Sequence, residues 1–214
     1  MATATRDLDL GTGVYSVPEA TQIIQRSVGR ASARQVRYWL REGLTESVEV
    51  DGNTLLSFHD LISLEMISRF RRAGISLQAV RAAERWLRSQ DATLRRPLAK
   101  LVFYTDGINL WTQAGEHLLE LVSRSGQYAW ERTIRTFASE ITFSEGAATL
   151  WRPSEWVEIN PRVQFGEPVV AGTRVPARTV VANLEAGSPQ EVADWYGLTL
   201  KQVEGAKAYF GTAA

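Results

Sequence analysis

The chain has 214 residues, no net formal charge and no cysteine, and these numbers limit its class. With 44% apolar and 22% charged residues, it can bury one large core or the cores of two to three small domains, and it is not a disordered chain. The absence of cysteine excludes disulfides and zinc knuckles. No apolar run reaches the roughly 18 residues of a membrane span, and residues 1–13 lack the pattern of a signal peptide. We therefore expect a cytoplasmic protein that does not bind membranes.

The net charge of zero conceals an uneven distribution along the chain. Residues 1–96 hold 14 arginines against 11 acidic residues, whereas residues 155–214 hold 5 basic against 7 acidic residues. Such a distribution favours a basic, nucleic-acid-binding front and an acidic end that faces a basic partner. Differences of two or three charges also arise by chance, so the charges alone do not decide the function.

Capping boxes mark the starts of five predicted helices. In each pair a Ser or Thr hydroxyl accepts a hydrogen bond from a backbone N–H, and a polar side chain three residues later reaches back. The pairs are Ser16–Glu19, Ser32–Gln35, Ser57–Asp60, Ser188–Glu191 and Thr199–Gln202. With the apolar periodicity, they predict helices at 17–26, 33–42, 58–73, 77–89, 177–186, 189–195 and 200–210.

A hairpin is predicted between the second and third helices. Asp51-Gly52 is a turn dipeptide, and alternating apolar residues flank it within residues 47–56. Helix, helix, hairpin, helix is the order of elements in a winged helix-turn-helix. We therefore expect an α+β protein whose first domain, residues 1–96, is a winged helix-turn-helix.

Residues 97–154 are predicted to form a small central α+β unit that serves as a linker between the two other domains or as a dimerisation unit. Asp106-Gly107 predicts a hairpin between strands at 100–105 and 108–112, and a third strand follows at 118–122. The apolar spacing from Tyr128 to Ile141 predicts a helix, and Thr149 to Trp151 predicts a returning strand. The last domain, residues 155–214, is predicted to be a β-hairpin followed by three helices.

The strongest functional pattern is an arginine face on the second predicted helix. Arg34, Arg37 and Arg41 recur at helical spacing, and no acidic residue occurs between Ala20 and Arg41. A helix that enters the major groove of DNA needs long cationic side chains to reach base edges and phosphates. The alternative is a solvated arginine face in a chain whose basic residues are mostly arginine.

Residues 14–88 resemble the N-terminal domain of MerR-type regulators. The resemblance rests on short motifs in the order Tyr15-Ser16, Val36-Arg-Tyr-Trp39, Glu42-Gly-Leu44, Phe58-His-Asp-Leu61 and Arg72-Ala-Gly-Ile-Ser-Leu77. It implies that the second helix enters the major groove and that the hairpin, the wing, contacts the DNA backbone. The candidate DNA-binding residues are Arg30, Arg34, Gln35, Arg37, Tyr38 and Arg41.

The sequence departs from the MerR pattern in three ways. The loop from Arg26 to Ala31 is longer than a tight turn. Glu46, Glu49 and Asp51 lie in the wing region, where the family usually has arginine, and acidic residues beside phosphates are unfavourable. The long dimerising helix and effector pocket typical of the family are also missing, which argues against a metal or drug sensor. Gln35 completes a capping box, so its side chain can serve the helix instead of a base.

Residues 156–210 resemble the bacterial domain-of-unknown-function family 433. The motifs are Asn160-Pro161, Gly166-x-Pro168, Gly172-Thr-Arg-x-Pro176 and Leu198-Thr199. That family is similar to VapB-type antitoxins, whose members commonly sit beside PIN-like ribonuclease toxins. Behind a MerR-like domain, the resemblance implies an antitoxin that neutralises such a toxin and represses its own operon.

The candidate toxin-binding residues are Gly172, Thr173, Arg174, Pro176 and Arg178. The glycine and proline favour a tight hairpin that presents Arg174. A guanidinium can pair with the carboxylate cluster that holds Mg²⁺ in a PIN-type active site. An internal ion pair of Arg174 with Glu158 or Glu185 is the equally weighted alternative.

No pattern in the sequence predicts catalysis, a metal site or a cofactor. His59 and His117 have no nearby ligand set, and neither a phosphate-binding loop nor a nucleophile elbow occurs. The expected partners are operator double-stranded DNA, a PIN-like toxin and a second copy of the chain, as a homodimer or a larger hetero-oligomer with the toxin. The alternatives are a free-standing MerR-like transcriptional regulator with a ligand-sensing or protein-interaction C-terminal domain, and an adaptor that does not bind DNA.

Overall fold

The computed structural model describes most of the N- and C-terminal parts of the chain and short stretches between them. The described residues are 13–28, 31–90, 96–100, 103–105, 110–114, 117–122, 135–136 and 140–211. Arg30, a candidate DNA-binding residue, lies outside them. The predicted α+β class is confirmed, because helices and small antiparallel sheets alternate along the chain.

The N-terminal part has the predicted order of elements. Its helices are α1 (Val17–Val28), α2 (Ala33–Arg41), α3 (Phe58–Arg72) and α4 (Leu77–Gln90), and its strands are β1 (Tyr15–Ser16), β2 (Val48–Val50) and β3 (Asn53–Leu56). Asp51 and Gly52 join β2 to β3 with φ angles of 49° and 77°, as a primed hairpin turn requires. The sequence did not predict β1, which pairs with β3 and gives the sheet order β1-β3-β2.

All five predicted capping pairs form. In each, the Ser or Thr hydroxyl accepts from the backbone N–H of the third residue, whose side chain accepts from the cap's own N–H. Each cap stabilises its helix by about 1 kcal/mol. This local bonding explains why the predicted starts of these helices match the structure.

Helix α3 is the centre of the N-terminal core and is buried on nearly all sides. Its apolar side chains include Leu61, Leu64, Ile67 and Phe70. The buried carboxylate of Glu65 pairs with Arg69 at 2.6 Å. Burial raises the pKa of Glu65, and Arg69 opposes that shift.

The central residues form a four-stranded antiparallel sheet. Its strands are β4 (Phe103–Thr105), β5 (Leu110–Ala114), β6 (His117–Val122) and β7 (Arg135–Thr136), in the order β6-β5-β4-β7. These strands confirm the predicted hairpin and third strand. The helix predicted from Tyr128 to Ile141 is wrong at 135–136, which pair with β4, and at Ile141, which begins a strand. The rest of that prediction, apart from residue 140, lies outside the described residues.

A second sheet joins the central and C-terminal parts. It contains β8 (Ile141–Ser144), β9 (Ala147–Ser154), β10 (Val157–Ile159) and β11 (Val169–Val170), in the order β11-β10-β9-β8. The sheet therefore has strands on both sides of the expected boundary at 154/155, and the division into domains stays a prediction. Trp151 is fully buried in the same core as α3, so β9 packs against the N-terminal helices.

Three helices follow the second sheet and enclose a separate small core. They are α5 (Ala177–Asn183), α6 (Pro189–Tyr196) and α7 (Leu200–Gly211), and α5 ends three residues earlier than predicted. Val180, Val192, Val203 and Ala206 are fully buried between them. Among the described residues, no helix is long and apolar enough to cross a membrane.

Candidate functional sites

The arginine face of α2 points away from the core. Val36 and Trp39 are buried on one side of the helix, whereas Arg34, Arg37 and Arg41 are exposed on the other. The capping box of Ser32 fixes where the helix begins, and so fixes which residues share a face. We call Arg34, Arg37 and Arg41 the arginine face.

The arginine face carries uncompensated positive charge. Within the described residues, no ion pair involves Arg34, Arg37 or Arg41. The first turn of α2 also contains no acidic residue. A surface with this charge attracts an anionic partner such as a nucleic-acid backbone.

Two other candidate residues of α2 have contacts within the protein. The side-chain oxygen of Gln35 accepts from the backbone N–H of Ser32 at 3.0 Å and from its hydroxyl at 3.1 Å. The hydroxyl of Tyr38 accepts from Arg81 at 3.4 Å, and Tyr38 is 39% exposed. Gln35 therefore uses its acceptor for the helix cap, while Tyr38 is held beside the arginine face.

The acidic residues near the wing are only partly compensated. Glu46 pairs with Arg96 at 3.2 Å, and the carboxylate of Glu49 accepts from the hydroxyl of Thr54 at 2.6 Å. Glu49 and Asp51 remain exposed. The tip of the wing is thus acidic, which disfavours a close approach to phosphates.

Sequence reasoning missed the contact that fixes the wing to α3. Arg96 Nε donates to the buried carboxylate of Asp60 at 2.6 Å, and the same carboxylate accepts from the hydroxyl of Thr45 at 2.9 Å. Arg96 also pairs with Glu46, so one guanidinium joins the start of the wing to the start of α3. The sequence alone does not reveal this contact. Asp60 is already explained as the capping partner of Ser57, so nothing in the sequence points to a distant partner such as Arg96.

His59 is a packing residue of α3. Its Nε2 lies 3.0 Å from the carbonyl oxygen of Ala148 on β9. Burial lowers the pKa of His59, with a smaller lowering by the charge of Arg96. Among the residues that the structure describes, no group of three or more His, Asp or Glu side chains is placed to hold a metal ion.

The C-terminal candidate residues form a tight turn that begins after β11. Gly172 has φ 75°, and the N–H of Val170 donates to the carbonyl of Val175 at 2.9 Å across the turn. The hydroxyl of Thr173 donates to the carbonyl of Val170 at 2.8 Å and accepts from the N–H of Val175 at 3.1 Å. Thr173 therefore stabilises the turn from inside.

The turn presents Arg174 to solvent. Its side chain is exposed, and the Gln164 amide donates to the Arg174 carbonyl at 3.1 Å, which fixes the backbone. Pro176 follows as the residue that precedes α5. Arg178, whose side chain is 71% exposed, lies in the first turn of α5 and pairs with Glu167 at 2.9 Å.

The contacts of Glu158 bear on the alternative of an internal ion pair for Arg174. Glu158 is 8% exposed and pairs with Arg152 at 3.3 Å. Within residues 140–211, neither Arg174 nor Glu185 takes part in an ion pair. Arg174 therefore remains available for an external acceptor.

Two family models match this chain. Residues 29–85 match the family described as "MerR HTH family regulatory protein", and residues 157–210 match "Protein of unknown function (DUF433)". The chain thus contains a MerR-type helix-turn-helix followed by a DUF433 domain.

A curated relative and a solved structure extend this classification. The Mycobacterium tuberculosis protein named "Putative antitoxin VapB45" is 30% identical over 168 residues, which cover 71% of this chain and 70% of the relative. The chain therefore belongs to the VapB antitoxin family. The crystal structure of Rv2018 from Mycobacterium tuberculosis has the same fold, with a TM-score of 0.66 and 21% identity over 90% of this chain and 96% of that one.

Proposed function

We propose that this antitoxin neutralises a PIN-like ribonuclease through its C-terminal domain and represses its own operon by binding promoter DNA through α2. The proposal rests on exposed arginines at two separate places: the arginine face of α2, and Arg174 on the turn after β11. Among the described residues, none of these arginines forms an ion pair. Each surface fits an anionic partner of a different kind.

The arginine face has the dimensions of a major-groove reader. Arg34 and Arg41 are seven residues apart, which corresponds to about 10 Å along the helix. The major groove of B-DNA is about 12 Å wide, so the three guanidinium groups can reach bases and both flanking backbones. Gln35 and Tyr38 lie on the same helix and, together with Arg30, which is outside the described residues, are proposed as additional DNA contacts.

One winged helix covers only half of an operator. We therefore propose a homodimer, or a larger complex with the toxin, in which two copies of α2 bind two half-sites. Because the wing tip is acidic at Glu49 and Asp51, the arginine face supplies the main electrostatic attraction to DNA. The wing then contributes little to binding.

The turn Gly172–Pro176 is suited to blocking a carboxylate-lined active site. Gly172 and the Thr173 hydroxyl fix the turn, so the backbone of Arg174 is already ordered before it docks. A guanidinium pairs with carboxylates in a bidentate geometry and competes with the Mg²⁺ that a PIN-like site requires. Arg178 lies four residues further along the chain and adds a second exposed cation.

DNA binding is tested with the full-length protein and a fluorescent duplex from its own promoter. We expect Arg34→Ala/Arg37→Ala to weaken binding by roughly 1–3 kcal/mol for each base that the removed guanidinium groups would read. Arg162→Ala is the matched control, because Arg162 is an exposed arginine outside the helix-turn-helix. Equal binding by the wild type and the double variant would contradict the assignment of α2.

Toxin neutralisation is tested by growth rescue. Cells express the product of the gene adjacent to that of this chain, together with wild-type protein, Arg174→Ala or the control Arg162→Ala, which alters another exposed arginine of the same domain. We expect rescue by the wild type and the control and none by Arg174→Ala. Full rescue by Arg174→Ala would show that Arg174 is not the blocking group.

A further inference from the structure

A cleft of about 170 Å³ separates α1 from the turn that precedes β11. Val14 and Ile23 line its N-terminal side, and Gln164, Phe165 and Phe210 line its C-terminal side. Gln164 also donates to the carbonyl of Arg174. The cleft is therefore continuous with the proposed toxin-binding turn, although half of its wall belongs to the DNA-binding domain.

Three of the four charged side chains of the cleft are already satisfied. Glu19 accepts from the backbone and hydroxyl of Ser16 as the capping partner of α1, and Glu167 pairs with Arg178. Arg26, the fourth, has no ion pair among the described residues. Its guanidinium stacks 4.5 Å from the ring centre of Phe210, and its buried Nε has no hydrogen-bond acceptor in the part of the chain that the structure describes. The cleft thus lacks one anionic acceptor.

The rim of the cleft carries an aromatic side chain held out in solvent. Phe165 is 75% exposed, and its backbone adopts φ 54°, next to Gln164 at φ 47°. This left-handed backbone conformation is unfavourable for residues other than glycine. The turn is held by the Val14 N–H, which donates to the Phe165 carbonyl, and by the Tyr15 hydroxyl, which donates to the Gly166 carbonyl at 2.8 Å. A strained turn that exposes an aromatic ring is suited to anchoring a partner.

We propose that this cleft is part of the toxin-binding surface and receives a protruding acidic side chain of the toxin. Its carboxylate pairs with Arg26, and the neighbouring apolar part of the toxin packs on Phe165. We choose a carboxylate because Arg26 is a cation and its Nε–H lacks an acceptor within the described residues. This inference rests on the proposed function and extends it, since the surface then includes α1 as well as residues 155–214.

The test measures the affinity of the full-length chain for the purified product of the adjacent gene by calorimetry. Removing one partner of a buried charge pair costs enough to weaken binding about 30-fold or more, which we expect for Arg26→Gln. Phe165→Ala should weaken binding about 10-fold, and because Phe165 is exposed this variant keeps the fold. Arg85→Gln, the same substitution outside the cleft, should bind like the wild type.

The outcomes separate this inference from the proposed function. If Arg174→Ala weakens binding while Arg26→Gln and Phe165→Ala bind within twofold of the wild type, the toxin does not use the cleft. If those two variants instead lose self-association by light scattering and keep their affinity for the toxin, the cleft belongs to a homodimer interface and the inference is wrong. If the wild type itself does not bind the adjacent gene product, the proposed function fails.

Discussion

The hydrogen bond between Tyr15 and Gly166 joins parts of the chain that are 151 residues apart, and the change Gly166→Ala tests it. Tyr15 is buried, and its hydroxyl donates to the carbonyl of Gly166. A Cβ on Gly166 would lie 2.1 Å from the Tyr15 hydroxyl oxygen and 2.9 Å from the ring carbon that bears it. The alanine therefore forces Tyr15 out of its place.

The cost of Gly166→Ala has three sources. Holding alanine at φ 86° costs about 1 kcal/mol, and overpacking against a buried ring costs about 1–3 kcal/mol. Breaking the buried hydrogen bond adds about 1 kcal/mol. We expect the free energy of unfolding, measured in urea, to fall by about 3–5 kcal/mol.

The matched control for this prediction is Gly172→Ala. Gly172 has a similar φ of 75°, but a Cβ there meets no atom within 4 Å. It should cost only the backbone strain of about 1 kcal/mol. The double change Tyr15→Phe/Gly166→Ala should recover part of the stability, because it removes the atom that clashes most severely. Equal costs for the two alanine variants would show that the contact with Tyr15 does not determine the cost of Gly166→Ala.

Three further predictions concern the buried charges and the DNA surface. Asp60→Ala should lower the free energy of unfolding by about 3–5 kcal/mol, because it leaves Arg96 without its main partner. By contrast, Asp194→Ala, at an exposed position of α6, should change it by less than about 0.5 kcal/mol. Since the pKa of His59 is lowered in the folded state, protonation favours unfolding. The stability advantage of the wild type over His59→Gln should therefore shrink as the pH falls below about 6.5, and a constant difference from pH 7.5 to 5.5 would contradict this. Operator affinity should fall steeply with salt, and Arg34→Ala should reduce that slope by about 1 if Arg34 contacts a phosphate.

Local patterns in the sequence were sufficient to predict most helices of the N- and C-terminal parts. A capping box involves residues only three positions apart, so Ser57–Asp60 or Ser188–Glu191 indicates a helix start without knowledge of the rest of the fold. The hairpin at Asp51-Gly52 is equally local, because the turn requires residues that tolerate positive φ.

The predictions that failed or were missing depend on distant contacts. Arg135–Thr136 form a strand because they pair with β4, and this pairing overrides the helical spacing of nearby apolar residues. The two-residue strand β1 exists only through its bonds to β3. Sheet pairing of this kind leaves little trace in a short stretch of sequence.

The candidate sites, like the fold, were predictable where they depend on local patterns and not where they depend on distant contacts. The exposure of Arg34, Arg37 and Arg41 follows from helical periodicity and the cap of α2. The cleft near Arg26 was not predictable, because its two walls are brought together by contacts such as that of Tyr15 with Gly166. No local pattern connects residues so far apart in the chain.

Antitoxin function is tested by measuring whether this protein inhibits the RNA cleavage that the product of the adjacent gene catalyses. We expect added wild-type protein to abolish Mg²⁺-dependent cleavage in a saturable manner. Arg34→Ala/Arg37→Ala should inhibit equally well, because the proposed DNA-binding and toxin-binding surfaces do not share these residues. Undiminished cleavage in the presence of excess wild-type protein would contradict the proposal that this chain is the antitoxin of that ribonuclease.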